Sequence, residues 1–424
     1  MAFSGSMTPL AIILIVLLVL LWKVDFIATL LNLKALKPEL PKEFSDVFDD
    51  AKYKQSQLYT QENSKFHVVS SVFSLFTLLL FWVCGGFVWL HEFVTGFGLG
   101  LILTGVIYLG LLFVGNLLLS LPFSVYSTFV LEKKFGFNKT TPQTFITDQI
   151  KSLLLAAIIG GPILALLLWI FDTVPNAWFW AWGVMTVISL LLTYLAPTYI
   201  MPLFNKFTPI EDGELKDAIN AMAKKCDFPL TELFVIDGSK RSTKANAFFT
   251  GFGKQKKIAL YDTLIEEQST DELVGVLAHE IGHFKRKHIV QRMVLSVVQT
   301  AIIFYLIGLF TTPNTSISEV IYGAFLFEDE QPLYVGLALF GILFTPISFF
   351  IGLAMNLWSR KHEFEADHFA KVHQETPEHL ISALKKLSAQ NLSNLTPHPL
   401  LVFLEYSHPP VLQRIDALRS DKTF

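Results

Sequence analysis

The segment His279-Glu280-Ile281-Gly282-His283 sets two histidines four residues apart with a glutamate directly after the first. On a helix, side chains four apart lie on one face. His279 and His283 can therefore both offer a ring nitrogen to one metal ion. Glu280, one step around, can reach a water at the metal but not the metal itself. Two imidazoles, a third protein ligand and an open position make a catalytic zinc site, where the ion brings the pKa of a bound water close to neutrality. Chance alone yields H-E-x-x-H in about one chain in a hundred of this length, so the weight falls on the context.

The third ligand is expected from Ser359-Arg360-Lys361-His362-Glu363-Phe364-Glu365-Ala366-Asp367. Glu363 and Asp367 are four apart and share a helix face. Glu363 can bind the metal while Asp367 accepts the distal N–H of a ligand histidine and fixes its tautomer. Glu365 points to another face and is the weaker candidate. Two antiparallel spans between the segments can bring Glu363 back to the histidines.

The elements that must position these groups are membrane spans. Of 424 residues, 52% are apolar and 16% charged, with a mean hydropathy of +0.49; soluble domains carry about a quarter charged residues. Seven apolar segments are long enough to cross a bilayer: 7–27, 68–90, 93–121, 153–171, 177–200, 289–310 and 333–357. The net charge of −3 argues against a nucleic-acid partner. Cys84 and Cys226, one in a span and one in a polar segment, form neither a disulfide nor a thiolate zinc site. The first apolar run lacks a basic flank and a small-residue cleavage site, so it reads as a retained span with Lys23 snorkelling at its end.

Charge sets the orientation. Apart from Lys23, every Lys and Arg falls in 34–65, 133–151, 206–292 or from 360 onward; the alternate connections carry acids such as Asp172, Glu319 and Glu328 and no base. Basic loops stay cytoplasmic, which places the N-terminus outside and the metal motif and C-terminus in the cytoplasm. The division expected is spans 1–5 with their loops (1–200), a cytoplasmic lobe (201–288), spans 6 and 7 (289–357) and a C-terminal cytoplasmic segment (358–424). Within the lobe, 214–225 reads as an amphipathic helix and 233–237 as a strand. Residues 244–250 and 257–262 read as a hairpin about Gly251-Phe252-Gly253. Ser269 and Glu272 make a capping box for the metal helix, which is expected to run on past Lys287 into the sixth span. The histidines outside the motif other than His408, His288 and His362 among them, are expected at the surface or the membrane interface.

H-E-x-x-H followed by E-x-x-x-D resembles the gluzincin metallopeptidases. With Ala245 to Phe252, Leu277 to Phe284, Ser359 to Asp367 and Ser407-His408-Pro409-Pro410, the chain resembles the type I CaaX prenyl proteases over most of its length. The resemblance implies a mostly α fold: a polytopic membrane protein whose seven transmembrane helices form a barrel around a chamber, plus a small α+β metalloprotease lobe. It implies one Zn2+ per chain near the cytoplasmic rim and a peptide or protein substrate; the eukaryotic members remove the last three residues of a farnesylated CaaX protein. Membrane lipid is the other expected partner. Shortness and the terminal Asp421-Lys422-Thr423-Phe424, without a retention signal, point to a bacterial inner membrane rather than the ER.

The expected roles follow. Glu280 takes a proton from the attacking water and returns it to the leaving amine. His408, by resemblance, donates to the tetrahedral oxyanion. Arg414 either holds the scissile region or braces the site. Asn246, beside an edge strand, meets a substrate that adds as a further strand. A transporter or channel with a structural metal is the alternative, disfavoured by spans nearly free of charge and by the lack of a repeat. A membrane scaffold would have no use for Glu280.

Overall fold

A computed structural model describes residues 7–250, 256–328 and 330–420. The first half is helical: α1 (Pro9–Ala35), α2 (Asp50–Val83), α3 (Gly86–Thr95), α4 (Leu101–Tyr126), α5 (Pro142–Leu155), α6 (Gly161–Thr173) and α7 (Ala177–Leu195). A mixed stretch follows: β1 (Phe207–Pro209), α8 (Glu214–Lys225), β2 (Leu230–Ile236), β3 (Ala247–Thr250), β4 (Lys256–Tyr261), α9 (Asp262–Glu267) and α10 (Thr270–Lys285). The chain then returns to helix with α11 (His288–Thr311), α12 (Ser316–Ala324), α13 (Leu333–His373), α14 (Glu378–Gln390), α15 (Pro399–Glu405) and α16 (Val411–Arg419). α5 and α6 form one rod through a wide turn at Ala156–Gly160, just before Pro162, which cannot donate back to the helix.

Among the described residues, seven helices are long and apolar enough to cross a membrane, matching the expected number. They close a ring in the order α1, α2, α4, α6, α7, α11, α13 and back to α1; Phe73 against Phe123, 4.9 Å apart, joins α2 to α4. A helix in a solid bundle buries a stripe of at least about 100°, more than a quarter of its surface. Here no span's most apolar stretch is more than 17% buried, and that of Ala177–Leu203 is not buried at all. The spans are therefore walls with two accessible faces.

The buried apolar side chains gather at the two ends of this ring. One core joins the start of α1 (Leu14), the end of α2 (Trp82), α3 (Phe87), the start of α4 (Tyr108), the end of α6 (Leu168), α12 (Tyr322) and the start of α13 (Leu339). There Trp82 stacks on Phe325 at 4.1 Å and donates its indole N–H to the Ala324 carbonyl. The opposite end is capped by the lobe. Its main core draws on Phe44 and Phe48 ahead of α2, Tyr53 of its first turn, Ile219 of α8, Leu233 and Ile258 of the sheet, Ile281 of α10, Leu380 of α14 and Ile415 of α16. The lobe is thus assembled from segments far apart in sequence. The sheet order is β1-β2-β4-β3, with β2 and β4 parallel and the outer pairings antiparallel.

Several expected boundaries shift. The second span ends at Val83, because Gly85 adopts a left-handed φ of 74° that only glycine reaches cheaply. His91 and Glu92 lie inside α3 and not in a loop, and the next span begins at Leu101. The metal helix does not continue into the sixth span: Lys287 sits at φ 59° and breaks α10 from α11. The seventh span and the third-ligand segment are one helix of 41 residues. The strands of the expected hairpin pair from Ala247–Leu260 to Thr250–Lys257; its turn, Gly251-Phe252-Gly253, lies outside the described residues.

Candidate active site

α10 begins where the sequence places it. Ser269 accepts from the Glu272 amide while the Glu272 carboxylate takes the Ser269 N–H at 2.7 Å. The same carboxylate reaches Lys386 at 2.7 Å, tying α14 to the first turn of α10. Against α13 the two backbones come close. A Cβ on Gly282 would stand 3.0 Å from the Ala366 Cα and carbonyl oxygen. The glycine between the histidines is what lets Glu363 approach them.

Three ligand atoms converge. His279 Nε2 and His283 Nε2 are 3.2 Å apart; Glu363 Oε2 is 3.4 Å from the first and Glu363 Oε1 3.2 Å from the second. Bonds of about 2.0–2.1 Å to a tetrahedral ion require ligand atoms about 3.3–3.4 Å apart, so the two imidazole nitrogens have about that spacing and each has a Glu363 oxygen at about the same distance. Glu363 is 2% exposed and its Oε2 has no hydrogen-bond partner among the described residues. Two facing imidazole nitrogens and a buried, unsatisfied carboxylate oxygen are what a divalent cation would satisfy. The residues fit a metal.

Around the triangle, Asp367 Oδ1 accepts from His279 Nδ1 at 2.8 Å. Arg414 forks onto Asp367, Nη2 to Oδ1 at 2.6 Å and Nε to Oδ2 at 2.8 Å, with Nη1 3.6 Å from Glu363 Oε2. Its guanidinium is buried, and despite the desolvation the two carboxylates hold it firmly charged. This favours the bracing role for Arg414 over the substrate-holding one. His408 Nε2 stands 3.4 Å from Glu363 Oε1, while its Nδ1 meets Ser407 Oγ at 2.9 Å; its side chain is 64% exposed. The segment that carries it is pinned to α13: Asn356 donates to the Leu404 carbonyl at 2.9 Å and Arg360 to the Val402 and Tyr406 carbonyls.

Glu280, His408 and Asn246 line one cavity of about 500 Å³ with Glu363, and Val276, Leu380 and Leu384 form part of its apolar wall. Burial pushes the Glu280 carboxyl up, against the lowering pull of the two histidines. Asn246 is exposed, and its carbonyl accepts from the Tyr261 amide, so it extends β3 by one residue on the outer edge of the sheet. Contrary to expectation, His288 and His362 are buried, at 1% and 2% exposure, beside His283. The left-handed break at Lys287, which no glycine announces, turns His288 back towards the site.

Burial lowers the His279 pKa, but Asp367 and Glu363 outweigh it and move it up to about 9. A metal must displace that proton. Apparent metal affinity is therefore expected to fall about tenfold for each pH unit below about 9. Chelator competition across this range measures it, and a flat profile would contradict the assignment.

A ring of seven spans capped by a lobe with two histidines and a glutamate around a metal-sized gap defines the class: a membrane-embedded metallopeptidase. Residues 29–206 match the family model "CAAX prenyl protease N-terminal, five membrane helices", and 209–422 match "Peptidase family M48". The chain belongs to this family of CAAX prenyl proteases and is a membrane-embedded protease. It is 42% identical over 411 residues to CAAX prenyl protease 1 of Saccharomyces cerevisiae, covering 91% of this chain and 89% of the relative. To the Homo sapiens CAAX prenyl protease 1 homolog it is 34% identical over 429 residues, covering 90% and 89%. The crystal structure of S. mikatae Ste24p superposes with a TM-score of 0.91 at 37% identity, over 98% of this chain and all of that one.

Proposed function

We propose that the chain holds one zinc ion on His279, His283 and Glu363 and hydrolyses peptide bonds near the C-terminus of isoprenylated peptides or proteins, at the cytoplasmic face of its membrane. The observation that carries this is the convergence of two imidazole nitrogens and the Glu363 carboxylate, at contacts of 3.2–3.4 Å, at the wall of the Glu280 cavity. The substrate class follows the relatives, whose names describe prenyl proteases. The basic connections on the lobe side support the orientation. The relatives named above are eukaryotic, which weighs against the bacterial inner membrane expected from the chain's shortness and terminal residues.

A zinc ion here supplies Lewis acidity, acidifying a water and polarising a carbonyl. The chain's residues do the rest. Glu280, at the cavity wall, accepts the proton of the attacking water and passes it to the leaving amine. His408 Nε2 faces the Glu363 carboxylate, which can only accept, so the hydrogen of His408 belongs on Nε2, where it serves as a donor to the oxyanion. Asp367 fixes the tautomer of His279, and Arg414 neutralises Asp367. The free edge of β3 beside Asn246 offers main-chain pairing to an extended peptide.

The test is one peptide in farnesylated and unfarnesylated form, with the zinc content of the same preparation. Burying only two methylene equivalents of the lipid contributes about 1.6 kcal/mol, so kcat/KM is expected to be at least about tenfold higher for the farnesylated form. Equal rates on both would favour general membrane-protein quality control, and a preparation without zinc would remove the metal assignment.

A further inference from the structure

Beside the metal triangle lies a second buried cluster, His288, His362 and Glu365, whose ligand-type atoms lie within 4.8 Å of one another. His288 Nδ1 is 2.9 Å from His283 Nδ1, and His288 Nε2 is 2.8 Å from Glu365 Oε2. His362 stacks on His288 with centroids 3.8 Å apart and planes within 7°, and its Nε2 meets Gln291 Oε1 at 3.1 Å. Lys361 Nζ stands 3.7 Å from the other Glu365 oxygen.

A second metal ion suits this cluster poorly. Ring nitrogens bind metals along lone pairs in the ring plane, and stacked rings hold those lone pairs parallel instead of convergent. Both nitrogens of His288 are also already engaged. The contacts instead read in one direction. With His283 Nε2 given to the metal, its Nδ1 must carry the hydrogen and donate to His288 Nδ1. His288 then carries its hydrogen on Nε2 and donates it to the Glu365 carboxylate. Each link has one donor and one acceptor, and the chain of bonds ends on a charge.

We propose that His288, anchored by Glu365, is a positioning residue that holds His283 in its metal-binding tautomer and ring orientation. His279 has a carboxylate at Nδ1 directly, from Asp367; His283 has one through an interposed imidazole. Both carboxylates come from α13, the helix that supplies Glu363, so one element sets the ligand and the supports of both histidines. The stacked ring of His362 keeps His288 in plane. The inference rests on the zinc assignment above.

The experiment is zinc affinity by chelator competition on the purified full chain, with zinc stoichiometry and peptide kinetics at saturating zinc. His288→Ala is expected to raise the zinc Kd about 10- to 100-fold, as loss of a metal ligand's support does. Glu365→Ala should move it in the same direction, and Glu365→Gln, which still accepts from His288, should restore most of the affinity. KM should stay near the parent value, since neither residue lines the substrate cavity. His288→Ala is a buried change, so Glu365→Ala, at a side chain 19% exposed, serves if the first variant does not fold. A parental Kd in both alanine variants overturns the proposal while leaving the zinc assignment standing. Two zinc ions per parent chain, one of them lost in His288→Ala, would make the cluster a metal site and also overturn it. A parent that binds no zinc defeats the underlying assignment, and this inference with it.

Discussion

Glu280→Gln is expected to lower kcat by a factor of about 10² to 10⁴, the usual contribution of a positioned acid–base group, with metal content per chain unchanged. The amide has the carboxylate's shape, so packing at the cavity wall is preserved, but it cannot accept a proton. Glu280 lies directly after a proposed ligand on α10 and contributes to the cavity that His408 and Glu363 also line. Its carboxyl, pushed up by burial, is more ready to hold a proton than an exposed glutamate would be. Turnover of a prenylated peptide by purified parent and variant, read beside elemental analysis, decides the point. Undiminished turnover would remove Glu280 from the chemistry, and lost metal would recast it as a structural group.

Arg414→Ala should act on stability and metal retention more than on substrate binding. The guanidinium is buried at 8% exposure between Asp367 and Glu363, at 1% and 2%. Removing one partner of a buried ion pair leaves the other charge uncompensated, at a cost of about 3–5 kcal/mol. A metal at the site would offset part of this for Glu363, but it lies beyond Asp367. Lysine should rescue poorly, because a single ammonium cannot reproduce the two-pronged contact to Asp367. The measurements are thermal unfolding in detergent and zinc retention during dialysis. A raised KM with unmoved unfolding temperature would return Arg414 to a substrate-holding role.

Much of this was readable beforehand because it depends on spacing. His279 and His283, Glu363 and Asp367, and Ser269 and Glu272 are local pairs, and a helix fixes their geometry whatever surrounds it. The seven spans were visible for the same reason, since hydropathy is a local sum. What stayed hidden depends on backbone conformation or on long-range packing. Hydropathy runs across the Cys84-Gly85-Gly86 break as if it were helix, and it stops at the bilayer although α2 and α13 continue into the lobe. A lysine in left-handed conformation at 287 leaves no trace in composition, so the inward turn of His288 was not foreseeable. Nor could the sequence choose between a substrate-facing and a bracing Arg414, because Asp367 is 47 residues away.

The 41-residue helix α13 crosses the apolar layer, with Pro346 in its spanning half, and runs on without a proline or glycine from Leu357 to Glu363. At 1.5 Å per residue, the carboxylate stands about 9 Å along the axis from Leu357, the end of the expected span. The depth of the reaction centre is thus a length built into one stiff strut. Inserting residues between Leu357 and Glu363 would shift that depth and also rotate the ligand by 100° per residue away from its partners. Such a ruler has no adjustable register, so a cut bond must be brought to a fixed height above the lipid.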